Sequence, residues 1–492
     1  MRTPVLAACL MLLAAAAAAE QIVPTPRATR LPITAVNRPF LEARSAREPV
    51  ALVAYGYVEE EVQVSGLANV LEWAEAGARP PVRVRNANVP YTTRMLLRRP
   101  VDRQKASGRV VVELLDPSAQ YDRAPLWGLS AEHFLRGGDI WVGVTVHPAA
   151  AAALQKFDGV RYARLAFAFT QPPECATPAP RTETGLAWDI LAQVGALLRS
   201  SSRENPLVSF DLHRVVAAGQ GLAGSYLVTY ADALHAEQRL GDGRPVFDAY
   251  VGVDAAELAP INQCAAPLPD GDARRGGARD VPFVSVVTQT SLAATLGRRR
   301  GDSDEAGDAY RSFEVAGAAQ GPVAPAGQPG VADLKIAGFD TATPLCTEAR
   351  NDFPLATVLN AVWQQLDDLL VAGMPLGHAA PIDVTAGGAP VPDASGNARG
   401  GWRSPAIDVP LAVYGGRGTA RDPSNAAAVA ACGLNGSKRP LDSAELKALY
   451  GNRAEYLKRF DAAVDTAVQE RRLVPADAAA LKAQAARIAP AF

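Results

Sequence analysis

Clustered positive charge, cysteine and histidine are all scarce in this chain, and each scarcity bears on what it does. Lys and Arg number 49 against 51 Asp and Glu, a formal net charge of −2 over 492 residues. No stretch gathers the cations that phosphate contacts demand, so nucleic acid is not expected as a partner. The five cysteines have no zinc-ligand spacing, and no metal or other cofactor is implied. No motif recurs at a fixed period, which argues against a solenoid or propeller. The run from Val5 to Ala19 ends at Glu20 without polar anchors on both sides, so no membrane span is expected once it is removed.

That run reads instead as a targeting signal. Arg2 opens it, the apolar stretch follows, and Ala17-Ala18-Ala19 supplies small residues before Glu20, the pattern of a signal peptide over residues 1–19. An exported chain, periplasmic or extracellular, is the expectation. Leu6-Ala7-Ala8-Cys9 resembles a lipoprotein cleavage box, but its apolar core would precede the cysteine by only a few residues. Removing residues 1–19 leaves Cys175, Cys264, Cys346 and Cys432, an even number in a compartment where disulfides persist. Three pairings are open to four cysteines.

From Tyr91 onward, short β-branched runs alternate with helical patterns, as in a parallel or mixed sheet covered by helices. Strands are predicted over residues 92–97, 109–115, 140–146, 213–218, 247–253, 281–287 and 310–316. Helices are predicted over 132–137, 186–198, 222–236 and 355–372, the last with Leu355, Val358, Val362, Leu366 and Leu369 on one face and Gly373 as its stop. Residues 321–330 read as an irregular insertion, 381–415 as extended segments around a turn at 393–397, and 443–489 as helical.

Several short motifs, taken in order, resemble those of a family of large, mostly exported α/β-hydrolase-domain proteins. They begin with Gly56-Tyr57-Val58-Glu59-Glu60-Glu61, Tyr91-Thr92-Thr93-Arg94 and Val110-Val111-Val112-Glu113. Trp141-Val142-Gly143-Val144, Gly396-Asn397-Ala398-Arg399-Gly400-Gly401 and Pro405-Ala406-Ile407-Asp408-Val409-Pro410 follow. The resemblance implies a mixed, mostly parallel sheet flanked by helices, with an N-terminal β extension, insertions and a helical C-terminal region. The expected division is a signal peptide at 1–19, an extension at 20–88, the core at 89–378, and C-terminal segments and helices at 379–492.

Such a fold performs hydrolysis with a nucleophile on a sharp strand-to-helix turn, then an acid, then a histidine, in that chain order. The family's elbow resembles Gly-Glu-Ser-Gln-Ser. This chain has Gly219-Gln220-Gly221-Leu222-Ala223, so Gly221 stands where the nucleophile belongs. Where the acid is expected the chain has Thr288-Gln289-Thr290-Ser291, and the histidine motif reads Val315-Ala316-Gly317-Ala318-Ala319-Gln320. Glutamine is no general base near neutral pH. The resemblance therefore implies a hydrolase fold with Gly221, Gln289, Ser291 and Gln320 at substituted triad positions. A small molecule or a protein partner is expected in the old cleft, near Asp116, Ser118, Gln220, Gly221 and Leu222. The competing reading is a hydrolase or esterase using Ser225 with His147. The expected disulfides are Cys346–Cys432, from the loop before the long helix to the C-terminal region, and Cys175–Cys264, between two insertions.

Overall fold

The computed structural model describes residues 21–492 except 35, 79, 173–174, 176–180, 256, 270, 273, 276–278, 322–323 and 342–344. The expected signal peptide lies outside the described residues. Nine strands form one sheet: β1 (Arg27–Leu31), β2 (Tyr57–Trp73), β3 (Val82–Pro100), β4 (Arg109–Leu114), β5 (Ile140–Val144), β6 (Arg214–Gln220), β7 (Ala249–Val253), β8 (Arg279–Thr288) and β9 (Asp308–Val315). Their order across the sheet is β9-β8-β7-β6-β4-β5-β3-β2-β1. The strands from β4 to β9 run parallel, while β1, β2 and β3 pair antiparallel at one edge. The central strands β4, β5 and β7 are buried at every position, because helices cover both faces of a parallel sheet. Those helices include α1 (Pro125–Gly137), α2 (Pro148–Phe157), α3 (Ala187–Arg199), α4 (Leu222–Ala233) and α5 (Leu355–Ala372). Among the described residues no helix is long and apolar enough to cross a membrane.

Most expected elements appear within a few residues of their predicted limits, and three differ for physical reasons. The sheet reaches back beyond Tyr91 to Arg27. The long strand β2 carries Glu59-Glu60-Glu61, a run that reads against a strand, but Glu59 stands directly opposite Arg98 on β3 and bonds it at 2.7 Å. Glu60 pairs with Arg99 at 2.7 Å. Cross-strand ion pairs thus replace the apolar alternation. Helix α1 starts at Pro125 rather than near residue 132. Its first N–H groups, of Leu126 and Trp127, donate to the buried Glu113 carboxylate at 2.8 and 2.9 Å, which satisfies donors a helix start leaves open. Helix α2 was not expected; Pro148 opens it and the Nδ1 of His147 caps it by accepting from Ala149 N–H at 3.2 Å.

The signature residues of β2 and β3 meet in a buried ionic cluster. Arg94, wholly buried, donates to Glu61 and to Asp122, each at 2.9 Å. Glu61 also accepts from Arg161 Nε at 2.6 Å and from the Tyr162 hydroxyl at 2.8 Å. Burial alone would lower the Arg94 pKa, yet Tyr162, Asp122 and Glu61 outweigh it and hold the guanidinium above its ordinary value. Nearby, the Arg98 guanidinium lies 4.3 and 4.5 Å from the ring centroids of Trp127 and Trp141.

Cys175 bonds Cys264 and Cys346 bonds Cys432, the expected pairs, with Cα separations of 5.2 and 5.7 Å. Disulfides of this kind persist outside the reducing cytosol. The C-terminal segments dock on β9 through a bridge between Val315 and Trp402, and the helices Ser443–Tyr450, Arg453–Gln469 and Pro475–Ile488 enclose a second apolar cluster around Tyr456, Phe460 and Val464.

Removing one partner of a buried ion cluster leaves a desolvated charge behind, at a cost of roughly 3–5 kcal/mol. Arg94→Leu is therefore expected to lose about that much in urea unfolding. Lys482→Ala, which removes an exposed pair with Asp465, is expected to stay within about 0.5 kcal/mol of wild type.

Candidate functional site: a strand-to-helix elbow

β6 ends at Gln220 and α4 begins at Leu222, so Gly221 alone turns the chain, with φ 61° and ψ −124°. This backbone strains any residue with a side chain. The Gly221 N–H donates to Val253 O at 2.9 Å and its carbonyl accepts from Ser225 N–H at 3.0 Å, fixing the turn to β7 and to its own helix. Close packing demands small neighbours. A Cβ on Gly219 would lie 2.7 Å from the Ala223 backbone, and one on Gly224 would lie 2.9 Å from Val253 O.

A Cβ on Gly221 would stand 3.0 Å from Gln320 Nε2 and 3.9 Å from Asp116 Oδ1. The fold thus brings Gly221 and Gln320 together, as a nucleophile and base are brought together in a working site. Neither can do that chemistry: one has no side chain, the other no titratable nitrogen.

A comparison of sequence families matches residues 23–483 to the alpha/beta hydrolase domain family. The chain belongs to the alpha/beta hydrolase family. No curated protein matches its sequence. It is similar to a glucuronoyl esterase from Solibacter usitatus at 10% identity, over 64% of this chain and 86% of that one, with a TM-score of 0.29. It is also similar to a fungal esterase from Rhizomucor miehei at 11% identity, over 70% and 94% of the two chains, with a TM-score of 0.30. Likenesses at these scores carry no weight about chemistry.

The remaining expected site residues of this alpha/beta hydrolase lie as follows. Gln289 turns its Oε1 onto Gly317 N–H at 2.8 Å, and Gln320 N–H donates to Thr290 Oγ1 at 2.9 Å. Asp116, buried, pairs with Arg123 and accepts from the Ser118 hydroxyl and, at 3.2 Å, from Ser118 N–H. In the loop after β4, where hydrolases place part of the oxyanion hole, Pro117 has no N–H and that of Ser118 is engaged. Leu222 N–H, first in α4, has no hydrogen-bond partner among the described residues. Gln220 is buried and its Nε2 faces Asp254 at 3.5 Å. Ser225 is buried in α4, and among the described residues no hydrogen bond joins its hydroxyl to an imidazole. His147 spends Nδ1 on the α2 cap and lays its ring edge against Tyr226; burial pushes its pKa down, against the pull of Asp122 and Asp116.

One acidic residue beside the elbow escaped the sequence reading. Asp254 follows β7 at a positive φ of 50°. It accepts from Thr288 N–H and Thr288 Oγ1, both at 2.8 Å. It therefore ties the end of β7 to the end of β8, where the acid was sought. The signal was present: Asp254 ends a fully buried strand at the ligand-binding end of the sheet. Burial pushes its carboxyl up to about 6, although the Thr288 donors oppose the shift.

The sign of the resulting pH dependence follows. A carboxyl with a raised native pKa binds its proton more tightly folded than unfolded, so its contribution is full below about pH 4 and is lost as pH rises through about 6. Asp189, raised to about 6 by burial, acts in the same direction. Asp254→Asn is expected to lose less stability than wild type between pH 4 and pH 7, the difference being roughly 1–3 kcal/mol. Denaturant midpoints at the two pH values measure it, and parallel losses in both proteins would contradict the buried carboxyl.

Proposed function

We propose that this chain is an exported, non-catalytic member of its family that binds a small molecule, or a partner protein's group, at the former catalytic end of the sheet. The observation that carries the reading is the elbow itself, where strained geometry persists around Gly221 and the Gln320 amide occupies the approach to the missing nucleophile. Gly221 without a side chain cannot form an acyl intermediate. What remains is suited to binding: Leu222 N–H at a helix start, the Gln320 amide as donor and acceptor, and the Asp116 carboxylate within reach of the same point. Ser225 with His147 is the less supported pair, because one is held inside α4 and the other caps α2. Two disulfides and the signal-like start favour export.

The purified chain is expected to show no turnover of aryl esters and no labelling by a fluorophosphonate. Gly221→Ser alone is expected to stay inert, since members of a triad act as a unit. Gly221→Ser with Gln320→His and Gln289→Asp is the repair with a route to activity. Gln289 is preferred over Ser291 as the acid position because a carboxylate at 291 would stand beside the buried Asp254 carboxyl. Labelling of the unmodified chain that Ser225→Ala abolishes would overturn the reading.

A further inference from the structure

The C-terminal helices do not close completely on the segments beneath them. The strands Ala412–Gly415 and Ser437–Pro440 pair antiparallel, with Tyr414 opposite Lys438 and Ala412 opposite Pro440, so Tyr414, Lys438 and Pro440 share one face. Between that face and the helices Arg453–Gln469 and Pro475–Ile488 lies a cavity of about 300 Å³. None of Gly221, Gln320 or Asp116 lines it.

Its depth is apolar. Val409, Leu446, Phe460, Leu481 and Ala485 line it and are buried, and each forgoes packing contacts on the side that faces the space. Tyr456 and Phe460 lie one helical turn apart, with ring centroids separated by 5.8 Å. The Tyr450 hydroxyl beside them donates to Pro410 O at 2.8 Å. That of Tyr456, which also lines the cavity, has no hydrogen-bond partner among the described residues. Burial pushes its pKa up and Asp461 adds to the rise, so it stays a neutral hydroxyl able to donate and to accept. The charged lining residues, Lys438 and Asp352, bond each other at 2.7 Å and leave no unanswered charge. The side chain of Asp352 is 56% exposed and Ile488 is 53% exposed, which marks the mouth and gives it an apolar lip.

We infer that this cavity is a binding site separate from the elbow, for a neutral apolar molecule of about two fused rings that carries one hydroxyl. An apolar cavity of about 150 Å³ stays dry and takes up one benzene ring, so the space beside Tyr456 fits two. Water fills such a depth poorly, because a buried water needs about two to four polar partners and Tyr456 is the one polar side chain among the buried lining residues. A charged head would be desolvated with no counter-charge to meet it, since Lys438 and Asp352 already answer each other. A ligand with no polar atom would leave the Tyr456 hydroxyl unpaired, whereas a hydroxyl on the ligand satisfies it. The inference does not depend on what the elbow binds.

Calorimetric titration of the whole chain with 2-naphthol tests it. Saturable binding at one site is expected, with naphthalene about fivefold weaker for want of the hydroxyl and the 2-naphthoate anion at least about tenfold weaker. Tyr456→Phe, which keeps the ring, is expected to bring 2-naphthol down to the affinity of naphthalene and to leave naphthalene itself unchanged. Ala485→Phe, which fills the cavity, is expected to abolish the binding of both, and Gln320→Ala at the elbow to change neither. The site is refuted by no saturable binding of 2-naphthol, by naphthoate binding as tightly, or by 2-naphthol affinity that Tyr456→Phe leaves intact. Loss of binding in Gln320→Ala would place the molecule at the elbow and refute it equally. Tyr456→Phe removes one oxygen and no ring packing, so it decides the matter even if Ala485→Phe does not fold.

Discussion

The buried cluster of Arg94 with Glu61 and Asp122 is the constraint on which the arrangement of the cleft depends. It joins the two long antiparallel strands to the loop after β4, and both carboxylates and the guanidinium are removed from water. Charges so desolvated are tolerable only when paired in good geometry, so the loop is held where Arg94 can reach it. The next residue, Arg123, then anchors Asp116, whose carboxylate stands at the mouth of the elbow. A run of interactions thus leads from the N-terminal strands to the point where a hydrolase would hold its substrate.

This explains a separation between two sets of residues. Those that define the resemblance to the family are structural. Glu59 neutralises Arg98, whose guanidinium lies over Trp127 and Trp141; Glu113 caps α1 and accepts from Trp141. Asn397, wholly buried, braces Ala412 and Tyr414. In the function we propose, those that would carry hydrolysis are substituted, and their replacements fit the same places without the same chemistry. Gln320 reaches the site opposite Gly221, and Gln289 is absorbed by a backbone contact at Gly317. A scaffold whose polar groups are buried and paired resists change, because altering one member strands the others. Residues at the open end of the sheet carry no such obligation.

The same distinction governs how much could be read from sequence. Helix α5 was legible to its last residue, because Leu355, Val358, Val362 and Leu366 are buried at helical spacing and Gly373 ends it in the left-handed conformation. The elbow was legible because its geometry needs small residues at fixed places. β2 falls inside the expected N-terminal β extension, but its limits were not legible, because its glutamates find their partners on β3, 39 residues away in sequence. For Asp254 the local pattern carries its place at the end of a buried strand, but not its role of receiving hydrogen bonds from Thr288 at the end of β8, which is a long-range property.

The central claim is that a catalytic elbow has kept its strained backbone after losing its nucleophile. The most direct measurement is the unfolding free energy of Gly221→Ala, alone and with Gln320→Ala. At φ 61° an alanine is expected to cost roughly 1–3 kcal/mol, and trimming Gln320 should relieve only the part due to the 3.0 Å approach. A Gly221→Ala protein within about 0.5 kcal/mol of wild type would mean that the turn is not a strained elbow, and the account would fail.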